Sequence, residues 1–550
     1  MSDKKIIHIL RIIDLGRGAG LGHIKRTNNL LVQMIFKNKK VRTESAILER
    51  DDSKIDLLHT PDIIIIDSYK MSQERIDRLM ETYPDAVHFI IDDFNRLSHY
   101  KCDFLLNYNP LAHNLNYSTA YHTQRLFGLE YFPISNELKK ARKIAAYREK
   151  IEHILVTMGG VDPSNFTEVV CNAFLEGFED YTFHIVIGSG FKNKNRMIRR
   201  YKGRRNYKFY QDLADLAPLM AKSDFAISSA GVTSYELAYL GKPAILIPIS
   251  KDQVLNAKSF RDMFSFVTLD FSSIRRKDEI TKRLRDFFDK ITQNKKLRGK
   301  IISELEKGFK PKDNNLPEIL MTRLNCKMLR KKNPIKISCQ AEVCREYDIS
   351  LRKEKEYEKV RWGSRAGMIN RFKLAHRLLS TIKYESLLDV GCGTGDIFKV
   401  IMKRKKKYFA YDLNFNMVSY AKKNSNSSVR YFNASSRVIP VKSNAIDVVT
   451  LIGVLQNCGI QVNEFIKEVS RIIKTKGHIF IITKNLGWYK FVKGDLKPEI
   501  GHNWFFDYEI SEELEKNGFD IIDKSGFLNR NGKLVDIDKS HEIFYWARKN

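Results

Sequence analysis

The chain is poor in cysteine: seven residues in 550, scattered, with no C-x-x-C pair. That pattern speaks against a disulfide framework or a zinc site, so no metal is expected, and it fits a reducing cytoplasm. Long apolar runs are missing too. No stretch of about 18 or more apolar residues occurs, so no membrane span is expected. The opening Met1-Ser2-Asp3-Lys4-Lys5 lacks the apolar core and small-residue cleavage site of a secretory signal. No repeat of short period is visible, which excludes solenoid and propeller arrays. Acidic residues are in deficit: 65 Asp+Glu against 95 Lys+Arg leave a net charge of +30. Such an excess can signal nucleic-acid or anionic-membrane binding. Here the basic residues are spread over the whole chain. The densest runs, Lys403-Arg404-Lys405-Lys406-Lys407 and Arg330-Lys331-Lys332, fall between predicted elements. The reading taken is a general attraction for anionic substrates, with nucleic acid not expected as a partner.

What is present is an ordinary globular composition, 43% apolar, in a chain too long for one core. Strand-like and helical patterns alternate almost throughout, which predicts parallel sheets in doubly wound α/β domains. Ile63–Ile66 and Val87–Ile91 are apolar runs that end in acidic residues, the pattern of buried strands with polar groups at their carboxyl ends. A second series begins at Ile154-Leu155-Val156-Thr157 and continues through Phe183–Ile187, Phe225–Ser228 and Ala244–Ile247. Residues 326–344 are basic, contain Pro334, and lack clear periodicity; they read as a linker. A third series opens with a helix near Ile369–Thr381 and the strand Leu387-Leu388-Asp389-Val390.

Two strand–turn–helix units in the first 325 residues carry the chemistry. The first strand, Ile6–Leu10, runs through a glycine turn to Gly22-His23 at a helix start; the second, Phe225–Ser228, runs into Ser229-Ala230-Gly231-Val232-Thr233-Ser234-Tyr235-Glu236. Each predicts an anion site of free N–H groups and a positive helix end. His23 adds an ionisable group, and Glu236, one turn into its helix, suits two ribose hydroxyls. Facing each other, they would hold a nucleotide diphosphate-sugar.

The motif order over this segment is Gly20-Leu21-Gly22-His23-Ile24-Lys25-Arg26, Ile66-Asp67-Ser68-Tyr69, Ile91-Asp92-Asp93, Gly159-Gly160-Val161-Asp162-Pro163-Ser164-Asn165, the Ser229–Leu237 turn, and Gln253 with Asn256. It resembles the UDP-sugar hydrolases of bacterial pseudaminic acid synthesis, hydrolytic relatives of GT-B glycosyltransferases. The resemblance implies hydrolysis of UDP-2,4-diacetamido-2,4,6-trideoxy-β-L-altropyranose to UDP and the free sugar, with no cofactor. It assigns His23 as the general base on water, a task to which imidazole chemistry is suited near neutral pH. Gly231, Val232 and Thr233 would stabilise the leaving diphosphate and Glu236 would bind ribose. Gln253 and Asn256 would face the sugar or diphosphate, Asp67 and Tyr69 would position the sugar, and Gly22, Gly160, Asp162 and Asn165 would complete the substrate site. Thr27 departs from the family, where many relatives carry Cys; so does Asp252-Gln253, where Asn-Gln is usual.

In the third series, Asp389-Val390-Gly391-Cys392-Gly393-Thr394-Gly395 follows a strand and precedes a helix, and Asp412 ends the next strand. The spacing also suits a dinucleotide fold, but G-x-G-x-G rather than G-x-G-x-x-G favours a methyl donor. The segment resembles class I S-adenosylmethionine methyltransferases. That implies S-adenosylmethionine as cofactor, held by Asp389, Gly391, Gly393, Gly395, Asp412, Leu413, Asn433, Ala434 and Ile452. The acceptor is not readable; a sugar of the same pathway fits the fusion. His502, Trp504 and Tyr508 form a polar-aromatic group, read as a packed loop.

The expected architecture is therefore α/β: two Rossmann-like domains in a GT-B arrangement (1–145 and 146–325), a linker (326–344) and a class I methyltransferase domain (345–550). The rivals are a GT-B glycosyltransferase with an acceptor hydroxyl in place of water, and a nucleic-acid methyltransferase with an N-terminal recognition module.

Overall fold

The computed structural model describes residues 6–14, 22–33, 40–48, 55, 57–192, 194–213, 215–269, 277–309, 316–336, 340–403, 405–424, 427–435, 438–457 and 460–550. The glycine turn before Gly22 lies outside them. The chain forms two compact units, Met1–Leu324 and Asn325–Asn550.

Unit 1 contains two parallel sheets. The first is built from β1 (Ile6–Asp14), β2 (Lys40–Leu48), β3 (Ile63–Asp67), β4 (Val87–Ile91), β5 (Phe104–Asn107) and β6 (Gln124–Phe127), in the order β2-β1-β3-β4-β5-β6. Every residue of β3 and β4 is buried, as befits β-branched runs covered on both faces. The second sheet uses β7 (His153–Thr157), β8 (Thr182–Ile187), β9 (Tyr207–Gln211), β10 (Phe225–Ser229), β11 (Ala244–Ile247) and β12 (Val267–Thr268), in the order β12-β11-β10-β7-β8-β9. Its core gathers Phe174, Phe183, Phe225 and Phe288 with the strand aliphatics.

Unit 2 has one mixed sheet of β13 (Ser386–Val390), β14 (Lys407–Asp412), β15 (Val429–Asn433), β16 (Ile446–Ile452), β17 (Ile473–Lys484), β18 (Phe519–Leu528), β19 (Lys533–Val535) and β20 (Glu542–Lys549). The order is β15-β14-β13-β16-β17-β20-β18-β19. Pairs from β15 to β17 are parallel, and those from β17 to β19 antiparallel. In the parallel part of each of the three sheets the strand order reverses once: at β1/β3, β10/β7 and β13/β16. Ligands of open α/β sheets bind at the carboxyl ends of the strands beside such a reversal. The first two fall at the His23 and Gly231 helices and the third at Gly391.

The linker reading is corrected. Residues up to Lys332 belong to the helix Leu316–Lys332. Cys326 and Leu329 pack on a cluster of Leu486, Phe491, Trp504 and Phe506. Arg330, read as solvated charge, donates to the Trp504 carbonyl and pairs with Glu509. The apolar contacts of this helix are few and spaced among basic residues, so no periodicity stands out. A second helix, Gln340–Leu351, begins before the expected boundary at 345 and crosses it.

Candidate active sites

In unit 1 the carboxyl edge of the first sheet brings together residues distant in sequence. His23 stands on the helix Gly22–Gln33 after β1, Asp67 closes β3, and Asp93 follows β4. His23 Nδ1 lies 2.6 Å from Asp67 Oδ1, and Asp67 is fully buried. A carboxylate only accepts, so Nδ1 carries the proton and Nε2 is the basic nitrogen. Arg26, one helical turn on, donates from Nε to Asp67 Oδ2 at 2.7 Å and from Nη1 to Asp93 Oδ2 at 2.6 Å. Its Nη2 also reaches Asp67 Oδ1. Tyr69 donates its hydroxyl to Asp93 and sets its ring edge-on to His23, with centroids 4.7 Å apart. Burial would raise the Asp67 carboxyl; the Arg26 guanidinium and His23 outweigh it and hold the group at about 2. Asp67 is therefore a fixed anion that sets the tautomer and direction of the imidazole. Of this group the sequence reading named His23, Asp67 and Tyr69. It missed the roles of Arg26 and Asp93, although both stand in the quoted motifs.

At the reversal of the second sheet, Gly231 precedes the helix Val232–Tyr239. The first N–H groups of such a helix have no intrahelical acceptor. Glu236 is buried in this helix; Oε1 pairs with Lys25 of the His23 helix at 2.5 Å, while Oε2 is buried without a partner. Gln253 accepts from the Ile249 N–H at 3.2 Å, and its Nε2 stands 3.4 Å from where a Cβ on Gly231 would be. Asn256 is engaged on several sides. Its Oδ1 accepts from Asn109 at 2.7 Å and from the Tyr235 hydroxyl at 2.8 Å, and its Nδ2 donates to the Ala230 carbonyl at 3.1 Å. Asn256 thus ties the loop after β5 to the loop after β10.

The Gly160–Asn165 segment also departs from expectation. Both Asp162 oxygens accept backbone N–H groups, from Phe166 at 2.9 Å and Thr167 at 2.7 Å, at the start of the helix Phe166–Ala173. Asn165 sits at φ 56° and donates to Glu168. The Gly160 carbonyl accepts from Gly190 N at 3.0 Å. These contacts shape the turn after β7, and short polar residues beside glycines serve turn-building as readily as ligand binding.

In unit 2 a pocket opens at the β13/β16 reversal. Asp389, Gly391, Gly393, Asp412, Leu413, Ala434 and Ile452 line it. Gly395 and Asn433 do not. A Cβ on Gly395 would meet the Tyr431 hydroxyl at 2.5 Å, so this glycine serves packing. Asn433 donates to the carbonyls of Asp412 and Leu413, each at 2.8 Å, and holds the turn after β14 instead of facing an adenine. Gly391 has φ +64°, and a Cβ there would stand 2.7 Å from Val454 Cγ2. The Asp412 carboxylate accepts from Gly393 N and Asn414 N, each at 2.9 Å.

The sequence reading missed one wall of this pocket. Val343, Cys344 and Tyr347 of the helix Gln340–Leu351, followed by Val360 and Trp362, line it. Asn414 anchors the helix through the Cys344 carbonyl at 2.9 Å and Asp348 at 2.8 Å. Among the described residues the lining holds three aspartates and no lysine, arginine or histidine. Burial, with Asp412 nearby, pushes Asp389 up to about 7 against the hydrogen bond from Thr450. Burial raises Asp412 as well, against its backbone donors. Such a site suits a positively charged ligand and opposes the diphosphate of a dinucleotide.

Residues 388–481 match the family described as methyltransferase domain, and residues 153–310 the glycosyltransferase family 28 C-terminal domain. Unit 2 carries a methyltransferase domain. Unit 1 resembles curated sugar-related proteins. The chain is 25% identical over 234 residues to the spore coat polysaccharide biosynthesis protein SpsG of Bacillus subtilis, covering 42% of this chain and 66% of that protein. It is 27% identical over 261 residues to the pseudaminic acid cytidylyltransferase and UDP-2,4-diacetamido-2,4,6-trideoxy-beta-L-altropyranose hydrolase of Helicobacter pylori, covering 45% and 46%. Over 138 residues it is 32% identical to the UDP-N-acetylglucosamine–N-acetylmuramyl-(pentapeptide) pyrophosphoryl-undecaprenol N-acetylglucosamine transferase of Clostridium botulinum, covering 23% and 38%. The chain thus spans only part of the length of each curated relative. The architecture is mixed α/β with parallel sheets. Among the described residues no helix is long and apolar enough to cross a membrane.

Proposed function

We propose that unit 1 hydrolyses a UDP-linked diacetamido-trideoxyhexose, as the altropyranose hydrolases do, and that unit 2 transfers a methyl group from S-adenosylmethionine. The hydrolase reading is carried by the His23–Asp67 pair, 2.6 Å apart at the β1/β3 reversal. Asp67 holds Nδ1–H, so Nε2 takes a proton from water as the oxygen attacks the anomeric carbon. The bond to UDP breaks, and the N–H groups at Gly231–Thr233 stabilise the departing charge. The unpartnered Glu236 Oε2 is an acceptor for the ribose diol.

A glycosyltransferase reading also has support, from the family 28 match over residues 153–310. Incubation of UDP-2,4-diacetamido-2,4,6-trideoxy-β-L-altropyranose without an acceptor separates the two. Stoichiometric UDP and free sugar support hydrolysis. Release that begins only when a sugar acceptor is added supports glycosyl transfer.

For unit 2, the acidic lining without basic side chains supports a cationic cofactor. When bound, S-adenosylmethionine supplies an electrophilic methyl group on a sulfonium. Asp412 is suited to the ribose diol, and the Gly391–Gly393 turn lets the backbone come close. Asp389 offers negative charge to the cationic end. Equilibrium binding of labelled S-adenosylmethionine, with NADH as competitor, tests this; displacement by NADH at comparable concentration overturns it.

A further inference from the structure

Beside the cofactor pocket, at the carboxyl ends of β16 and β17, lies a second group of polar side chains. Asn503 N donates to the Gln456 carbonyl at 2.8 Å, which ties the 502–504 segment to the loop after β16. That loop supplies Gly453, Val454 and Asn457 to the pocket lining. Two buried ring nitrogens in this neighbourhood have no partner among the described residues: His502 Nδ1 and Trp488 Nε1. The Trp488 ring packs on His541 with centroids 5.5 Å apart and on Phe491 at 5.0 Å; Phe491 in turn packs on Trp504 at 5.0 Å. Trp504 itself is the packed core residue expected, with its Nε1 donating to the Glu499 carbonyl at 3.1 Å. His502 is not part of that core. Unfilled buried donors and acceptors are costly, and a ligand that fills them recovers the loss.

The charges around the group are matched. Lys484 faces Glu499 at 3.8 Å, Arg361 pairs with Glu346, and Arg371 pairs with Glu542. Lys490 Nζ stands over the Trp488 ring, 5.3 Å from its centroid, where the aromatic face engages it. What is offered is one nitrogen able to accept a proton, one indole N–H able to donate to an oxygen, and aromatic faces. That combination matches the hydroxyls and C–H faces of an uncharged sugar.

We propose that this group is the methyl-acceptor site, that its acceptor is a hydroxyl of a neutral sugar-like molecule, and that His502 is the proton acceptor. The hydroxyl oxygen attacks the methyl carbon, a C–O bond forms as the C–S bond breaks, S-adenosylhomocysteine leaves with the sulfur electron pair, and the proton passes to His502 Nδ1. Burial, with Lys484 and Arg361, lowers the His502 pKa against the opposing pull of Glu499 and Glu346, so the ring is neutral and ready to accept at pH 7. The inference rests on the methyl-transfer reading of unit 2, and measuring cofactor binding alongside keeps the two separable.

The test uses the full chain, tritiated S-adenosylmethionine, and three probes: N-acetylglucosamine, N-acetylneuraminate and a single-stranded oligoadenylate. Label is expected in the neutral sugar at about ten times or more the level in the acidic one, with none in the oligonucleotide. His502→Gln is expected to cut transfer about 100-fold or more and to flatten the acid limb of the rate–pH profile, with S-adenosylmethionine affinity unchanged. Trp488→Phe, which keeps an aromatic face but removes the indole N–H together with the pyrrole part of the ring, is expected to raise KM for the sugar and leave kcat within about twofold. Preference for the acidic sugar or the oligonucleotide, transfer to none of the three, or a His502→Gln variant with the wild-type rate and pH profile each overturns the proposal. Loss of cofactor binding in the wild-type chain would instead sink the reading of unit 2 beneath it.

Discussion

The two units bury their carboxylates in opposite ways. In unit 1, Asp67 is wrapped by Arg26 and His23 and held at about 2, and the Glu236 side chain already has Lys25. In unit 2, Asp389 has only the Thr450 hydroxyl, and burial takes it to about 7. A buried ion that lacks its partner is costly. A protein that leaves one unpaired in a pocket leaves the pairing to a ligand. The first site therefore has its buried carboxylate paired within the chain, whereas the second leaves Asp389 without a cation among the described residues.

The comparison can be broken most severely at His23. His23→Ala is expected to lower sugar release by roughly 10²–10⁴-fold while UDP binding by calorimetry is retained; near-wild-type turnover would mean that the His23–Asp67 pair is structural. Removing the anion beneath it has a different signature. Asp67→Ala leaves Arg26 buried beside Asp93 alone, and breaking a buried pair typically costs about 3–5 kcal/mol. Denaturant unfolding should show that loss in unit 1, where the same change at a surface pair would be barely visible.

For unit 2 the expectation concerns where the chain is cut. A fragment of residues 325–550 should bind S-adenosylmethionine. One of residues 345–550 loses Val343, Cys344 and the contacts of Arg330, and should bind at least about tenfold more weakly, since about 1.4 kcal/mol suffices for that factor. Equal affinities would show that the helix Gln340–Leu351 contributes nothing to the pocket.

The pH dependence sharpens the contrast further. The folded pKa of Asp389 lies above its ordinary value of about 3.9, so the fold favours the protonated form. Its contribution to ligand-free stability is fully present below about pH 4 and is lost as the pH rises through about 7. Thermal unfolding of unit 2 should show this slope, and Asp389→Asn should remove it. Cofactor affinity should run the other way and rise toward pH 7, because a cation prefers the ionised carboxylate. The smallest effect is expected at Lys25→Met. The Lys25 side chain is 46% exposed, so its pair with Glu236 is a surface-edge interaction, worth at most about 1 kcal/mol. UDP affinity should change by no more than about fivefold, upward if Lys25 competes with ribose for Glu236.

Much of this was legible along the chain, because the signals are local. The Ile63–Ile66 run announces a buried strand, and the Gly391–Gly393 turn and Asp412 announce a ligand edge. What escaped was contact between distant residues. His23 and Asp67 were each named, yet nothing in the sequence says that two residues 44 positions apart touch. Arg26 and Asp93 looked like the ordinary charge of a helix and a strand end. Asp162, Asn256 and Asn433 were read as ligand groups because the same short polar side chains close turns and bridge loops. Of the pocket wall, Val343 and Cys344 fell within the segment read as a linker, and the rest has apolar residues too sparse among charged ones to stand out.

That wall has a kinetic meaning. A Cβ on Gly393 would stand 2.7 Å from Val360 Cγ1, so the segment rests directly on the glycine turn. Trp362 sits at the Gly453 backbone in the same way, its Nε1 3.5 Å from where a Cβ would be. A molecule lodged between wall and turn leaves only when these surfaces part. For such a molecule, residence time would depend on how readily one short stretch of chain opens, separately from how well the molecule fits. Loosening the Asn414 anchor would speed arrival and departure together and leave the equilibrium nearly where it was.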